Sequence, residues 1–293
     1  MKQIYNECGD DMKILAIGEI IFDIFGDDAV IGGAPLNFCA HCVACGAKAA
    51  LASGVGADEY GKKALEAING FGVDTDFIGT NAFETGKCIV TVENSSPSYN
   101  VLRPAAYDAV DADIEAIKEY GAEIFAFGTL IQREEASRNS VKKILAECDF
   151  KEIFCDINLR KNCYDRESCL LCLENATILK LSSEEEPLLA EFSFYNKAES
   201  EECLLCNIAS RFENLRLIIF TKGENGSVIY NADNGTFEYI DAIKSNVVST
   251  VGAGDSYSAA FLCEYLRSGD IAKAGRAGAE RSSAVVSQKG AII

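Results

Sequence analysis

The chain of 293 residues predicts an α/β fold: a mostly parallel central sheet flanked by helices, with a small β-sheet lid beside it. Three observations carry this reading. Short apolar runs recur, several closing on glycine or a polar residue; segments of helical period lie between most of them; and two regions break the alternation with strand–turn–strand pattern. Strands and helices alternating at these lengths cover both faces of a parallel sheet. In chain order, KILAIG (13–18) is the first strand, and EIIFDIFGDDAVI (19–31) follows as two short strands with turn residues between them. Pro35 then suits the first turn of a helix, where its missing N–H has no partner to lose. AALASG (49–54) is the next strand and EYGKKALEAING (59–70) the helix after it. GKCIVTVENSSPSYNVLRP (86–104) supplies a second hairpin to the lid. EIFAFG (123–128), the helix SRNSVKKILAEC (137–148), EIFCDI (152–157), ATILKL (176–181) and RLIIFT (216–221) continue the alternation, and a helix runs on from Asp255. No tandem repeat, Pro-rich linker or low-complexity tract divides the chain. One domain over 1–293 is expected, its lid formed by about 20–33 and 86–104.

A basic count of 27 against an acidic count of 45 gives a net charge of −18. Such a surface repels nucleic-acid backbone and anionic membrane, so neither is an expected partner. An anionic substrate needs a locally built positive site. No apolar run approaches the ~20 residues that span a bilayer, and Asp10, Asp11 and Lys13 interrupt the N-terminus before a signal peptide develops. Residues 1–11 read as a loose polar leader, with Met12 an alternative start. The 13 cysteines, an odd number spread through strands and helices, suit a reducing cytoplasm and small buried side chains.

Two motifs invite functions that the residues do not support. Cys39, Cys42 and Cys45 repeat every third residue, but the pattern from Leu36 to Cys45 is helical and the next cysteine is Cys88. Cluster ligands usually sit in loops and need a fourth member, so packing is the better reading. The same holds for Cys169/Cys172 and Cys203/Cys206, in Leu-rich helical pattern. His41, the one histidine, has no evident partner and reads as structural or exposed. GADEYGKK (56–63) nearly spells a phosphate loop, yet Lys63 stands where a metal-binding hydroxyl is needed, and helical pattern begins inside it.

STVGAGDSYSAAFLCEYL (249–266) is stronger. Gly252 and Gly254 remove side chains where backbone amides can approach an anion, and a helix begins at once. A carboxylate beside such amides suits phosphorylation of an alcohol: Asp255 takes the hydroxyl proton while the amides hold the transferring group. An aspartate in a first turn also caps helices, and taken alone the motif fits either role. Near the lid, Gly32 and Gly33 form a hinge, Asn37 offers a donor and an acceptor to a neutral polyol, and Asp23 can take two sugar hydroxyls.

The ordered set GEIIFD (18–23), GGAPLN (32–37), GVGADEYG (54–61), GVDT (72–75), DINLR (156–160), KLSSEE (180–185), TKGENG (221–226), VGAGD (251–255) and QKGA (288–291) resembles the ribokinase/PfkB-like carbohydrate kinase family. The likeness runs from about Lys13 to Ile292, with VGAGD its most specific part. The GE opening, FGTLIQREEASRNS (127–140) and DINLR point to the fructokinase and 2-keto-3-deoxygluconate kinase branch. The resemblance implies a ribokinase-like sheet with a β lid over a sugar, with ATP and Mg²⁺ as cofactors. It implies Asp255 as the base, with Gly252, Ala253 and Gly254 as the anion hole. Asp23, Gly33, Asn37 and the lid's Arg103 would bind the sugar, and Glu185 would organise Mg²⁺ through water. Asn158 and Lys180 would line the phosphate channel; Thr221, Gly223 and Gly226 would belong to the nucleotide side. Ser249 stands where the family carries an aspartate associated with a monovalent cation, so dependence on K⁺ stays open. Ser182 replaces an asparagine, a change shared by fructokinase-like members. The expected function is a fructokinase. A 2-keto-3-deoxygluconate kinase or another sugar kinase is the alternative, and a non-catalytic sugar or nucleotide sensor the rival. Lid strands with an open edge make a homodimer an expectation as well.

Overall fold

The computed structural model describes residues 12–93, 96–196 and 198–293. The leader expected over 1–11 and the turn at 94–95 lie outside these residues. Strand β1 (Lys13–Ile17) is followed by β2 (Ile21–Phe25), β3 (Asp28–Gly32), helix α1 (Ala34–Ala44) and β4 (Lys48–Gly56). Then come α2 (Glu59–Gly70), β5 (Ile78–Asn81), β6 (Gly86–Glu93) and β7 (Ser96–Val101). The chain next alternates through α3 (Ile114–Tyr120), β8 (Ile124–Phe127), α4 (Glu135–Glu147), β9 (Glu152–Asp156), α5 (Arg166–Asn175) and β10 (Ile178–Ser182). Helices α6 (Glu186–Ala190) and α7 (Glu201–Arg211) lead to β11 (Leu217–Thr221). The hairpin β12 (Ser227–Asn231) and β13 (Thr236–Ile240) precedes α8 (Ala253–Ser268) and α9 (Ile271–Val286).

The central sheet runs β13-β12-β11-β10-β9-β8-β1-β4-β5 and is parallel except for β12 and β13 at one edge. Its inner strands are apolar on both faces because helices cover both. Along β1 the side chains alternate between two cores: Leu15 and Ile17 enter one, Ile14 and Ala16 the other, which also holds Leu36 of α1 and Phe261 of α8. From β1 the chain steps to β4 on one side and later returns through β8 on the other. That reversal opens a crevice at the carboxyl ends of the strands, where ligands of open α/β sheets bind.

The lid sheet, in order β3-β2-β6-β7, stands at the end of β1. It is a mixed sheet. Each hairpin is antiparallel, whereas the two meet through a parallel β2–β6 pair, because both enter from the same end of the main sheet. The hairpin β12–β13 was not foreseen. Among the described residues no helix is long and apolar enough to cross a membrane.

Candidate active site

Helix α8 begins at Gly252, whose φ of 79° and ψ of 0° place it in the left-handed region that glycine tolerates. No side chain caps this end. The Ala253 amide closes a turn on the Thr250 carbonyl at 3.2 Å. Among the described residues no acceptor is found for the Gly252, Gly254 and Asp255 amides, which stand at the positive end of the helix. A Cβ on Gly254 would lie 3.1 Å from Lys180 Nζ, so an ammonium stands beside the same opening.

Asp255 does not cap α8. Its Oδ2 accepts a hydrogen bond of 2.8 Å from Asn37 Nδ2 of α1, which directs the carboxylate across the cleft. Burial raises its pKa, opposed by the Asn37 bond and by the charges of Lys180 and Arg160, while Glu185 adds to the rise. Asp255 lines a pocket with Glu19, Phe38, Gly128, Asp156 and Asn158, at the ends of β1, β8 and β9. A carboxylate here can take a proton from a bound hydroxyl.

On the lid side, Asp23 lies on β2, its pKa raised by burial and drawn back by Cys88 and Arg160. Gly33 has φ 117°, and a Cβ there would collide with the Glu19 carbonyl, so only glycine fits the hinge. Pro35 opens α1 as expected. Asn37 is buried, and its Oδ1 has no hydrogen-bond partner among the described residues. Arg103 is placed away from these groups: Nη2 donates to the Asn162 carbonyl at 2.9 Å and Nη1 lies 3.6 Å from Glu134. It lines a second pocket with Tyr99, Asn162 and Cys163 rather than the one that holds Asp255.

Two residues escaped the sequence reading. Glu19 is 4% exposed, its Oε1 accepts from the Ala34 amide at 3.1 Å, and burial pushes its pKa up to about 7. Arg160 is exposed, and its charge acts on Glu19, Asp23 and Asp255 together. Both sit inside quoted motifs, GEIIFD and DINLR, but their roles depend on charges from distant segments.

On the other side of the cleft, Lys180 Nζ lies 3.0 Å from Asp156 Oδ1. Burial alone would lower the lysine's pKa, yet Asp156, Glu185 and Asp255 together hold it above its ordinary value. Asn158 has φ 41°, a left-handed conformation at the end of the β9 loop. Glu185 is fixed by two backbone amides, Leu159 N to Oε1 and Ser182 N to Oε2, each at 2.9 Å. Thr221 ends β11; Gly223 and Gly226 follow with φ of 56° and 80°, and a Cβ on Gly226 would strike the Ile240 carbonyl. Nearby, Ile243, Val247, Val248 and Val251 expose apolar side chains. Ser249 Oγ accepts from the Val251 amide at 3.2 Å, which ties the loop locally.

Cys39 and Cys42 are fully buried, as are Cys169 and Cys172, in agreement with packing. Cys203 and Cys206 are exposed, so packing was the wrong reading for that pair; α7 turns them outward. His41 is buried and partnered rather than exposed. In the near-phosphate-loop, Asp58 caps α2 by accepting from Gly61 N at 2.7 Å.

A family model described as pfkB family carbohydrate kinase matches residues 26–293. The uncharacterized sugar kinase PH1459 of Pyrococcus horikoshii is 28% identical over 273 residues, 87% of this chain and 83% of that protein. Its crystal structure in complex with ATP matches with a TM-score of 0.80 at 25% identity, covering 95% of this chain and 93% of that one. An ATP-dependent 6-phosphofructokinase of Thermoanaerobacterium thermosaccharolyticum is 24% identical over 306 aligned positions, 97% of this chain and 91% of its own. Fructokinase from Vibrio cholerae O395, crystallised with fructose, ADP and calcium ion, shares the fold with a TM-score of 0.79 at 19% identity, covering 96% and 94% of the two chains.

Proposed function

The chain belongs to the pfkB family of carbohydrate kinases, and from that membership we propose that it transfers the terminal phosphoryl group of ATP to a hexose hydroxyl, with D-fructose the first acceptor. The observation that carries this is Asp255, aimed across the cleft by Asn37 and flanked by the open amides of Gly252 and Gly254. In the reaction the acceptor oxygen bonds to phosphorus as the bond to the ADP oxygen breaks. Asp255 takes the proton from that hydroxyl. The glycine amides, with Ala253 completing their turn, and the Lys180 ammonium stabilise the charge on the group in flight.

Asp23, Gly33 and Asn37 support the sugar from the lid side, where Glu19 adds a buried acceptor. Closure of the lid excludes water, so phosphate reaches the sugar rather than hydrolysis. Asn158 and Lys180 line the phosphate side. Thr221, Gly223 and Gly226 lie on the nucleotide side, where the exposed valines of the 247–251 loop offer an apolar wall to a base. Glu185 suits Mg²⁺ held through water: each of its oxygens accepts one amide and keeps a lone pair. When bound, that ion neutralises phosphate charge. The hydroxyl of Ser249 is engaged with Val251, which supports a loop ordered without potassium.

A second reading rests on Arg160. Its charge reaches Glu19, Asp23 and Asp255, and a cation acting on all three favours an acidic acceptor such as a keto-acid sugar. Turnover on a panel of hexoses, sugar phosphates and 2-keto-3-deoxygluconate decides between them. Fructose is expected to lead, and preference for the keto-acid sugar replaces it. Asp255→Asn should lower turnover roughly 10²–10⁴-fold, the range for a general base, while sugar binding persists. Unchanged turnover in that variant removes the base assignment, and sugar-induced stabilisation without any phosphoryl transfer identifies a sensor.

A further inference from the structure

Asn37 and His41 stand one turn apart on the same face of α1; the first reaches the motif at 251–255 and the second the segment that supports it. Asn37 bonds Asp255. His41 reaches the segment that lies under Gly252. Its Nε2 is 2.8 Å from the Ala291 carbonyl. A carbonyl only accepts, so Nε2 carries the proton and Nδ1 keeps a lone pair. That lone pair faces Arg281 of α9, with Nε and Nη2 each at 3.1 Å. Nη2 also donates to the Ile293 carbonyl at 2.9 Å. Burial holds the His41 pKa below its ordinary value against the opposing Ala291 hydrogen bond, and the Arg281 charge adds to the lowering, consistent with a neutral ring.

Ala291 packs directly on the turn that opens α8. A Cβ added to Gly252 would lie 2.6 Å from the Ala291 Cβ and 2.8 Å from its carbonyl oxygen. The preceding loop rests on the same support, since the Val248 and Ser249 amides reach the Val286 carbonyl at 2.7 and 3.3 Å. The floor beneath the glycine amides is therefore the end of α9 and the segment after it. His41 and Arg281 are the side chains that pin that segment.

We propose that His41 and Arg281 are positioning residues for the anion hole: they clamp residues 291–293 to α1 and α9 and so fix where the Gly252 amide points. Neither touches substrate. The proposal rests on the kinase reading of the 252–255 turn, and it makes α1 the common support of the base and of the amides. Donors placed for a developing charge act only at the designed position, and a displacement of about 1 Å costs about 100-fold.

His41→Leu removes the hydrogen bonds to Ala291 and to Arg281 at similar volume. We expect kcat to fall about 10- to 100-fold with the sugar KM within about twofold of wild type, because the amides act on the transition state and not on the bound sugar. Amide hydrogen exchange should quicken over 249–254 and 288–293. His41→Gln, which returns a donor toward Ala291, should recover most of kcat. Arg281→Met, at a half-buried position, should show the same pattern and carries the test if His41→Leu fails to fold. Wild-type kcat and unchanged exchange over 249–254 in these variants overturn the clamp, as does a fall in kcat matched by rising KM with no recovery in His41→Gln. A wild-type protein that phosphorylates no acceptor refutes the kinase reading instead. The clamp is then judged on exchange alone, where faster exchange supports it and unchanged exchange overturns it.

Discussion

To act as the proposed base Asp255 must be ionised, yet burial and the neighbouring Glu185 favour its neutral form. The Asn37 amide counters them, since an N–H donated to a carboxylate stabilises the charged state. Asn37→Ala therefore raises the pKa of Asp255 and moves the acid limb of kcat against pH upward; a limb that stays in place disproves the coupling. The shift appears in kcat and not only in KM, which separates it from loss of a sugar contact. Asp255 and Asn37 were legible because each lies in a short contiguous motif whose chemistry is local. Arg160 and Glu19 were visible as letters but not as parts, since their meaning comes from charges on other strands. His41 was opaque for the same reason: its partners lie 240 and 250 positions away in sequence. Arg103 was visible only as a cation at the end of a lid strand, which carries no sign of which way the loop beyond it will turn.

At the scale of elements, the foot of the lid is anchored by a buried ion pair. Arg133 Nε and Nη2 meet the two oxygens of Asp108 at 2.7 Å each, with side chains only 1% and 3% exposed. Nη2 also donates to the Leu102 carbonyl at 2.8 Å, where the chain leaves β7. The guanidinium lies over the Tyr107 ring, 4.7 Å from its centroid. Removing one member of such a pair leaves a buried charge without its counter-charge, at a cost of roughly 3–5 kcal/mol. Arg133→Met should lose about that much in denaturant unfolding, and a loss under about 1 kcal/mol would show that the pair does not anchor the lid. FGTLIQREEASRNS marked this region, but not the partner of its arginine. The hairpins of the lid were legible from their turn residues. Their parallel β2–β6 junction was not, because pairing between hairpins is set by where each leaves the main sheet. The β12–β13 hairpin was missed because it closes on itself at a sheet edge, outside the rhythm of strand and crossover helix.

For the molecule as a whole, the sheet was legible because strands buried on both faces must be written as unbroken apolar runs, and LIIF or AALA admits little else. What such runs omit is the surface. The lid sheet ends in two open edges, β3 and β7, and around them Phe25, Val30 and Tyr99 are 45%, 49% and 54% exposed. An open strand edge with apolar neighbours is a template for another strand, and a second copy of this chain offers a self-complementary one. Against that stands the net charge of −18 on each copy, which repels at long range. Raising ionic strength from about 10 mM to about 150 mM shortens the screening length from about 30 Å to about 8 Å and weakens that repulsion, while leaving strand pairing intact. The lid should therefore pair as a homodimer that tightens with salt in sedimentation velocity, and Val30→Lys should dissociate it by placing a charge on the edge. A wild-type chain that sediments as a monomer at both salt levels, or a Val30→Lys variant that keeps the dimer, places the contact elsewhere or nowhere.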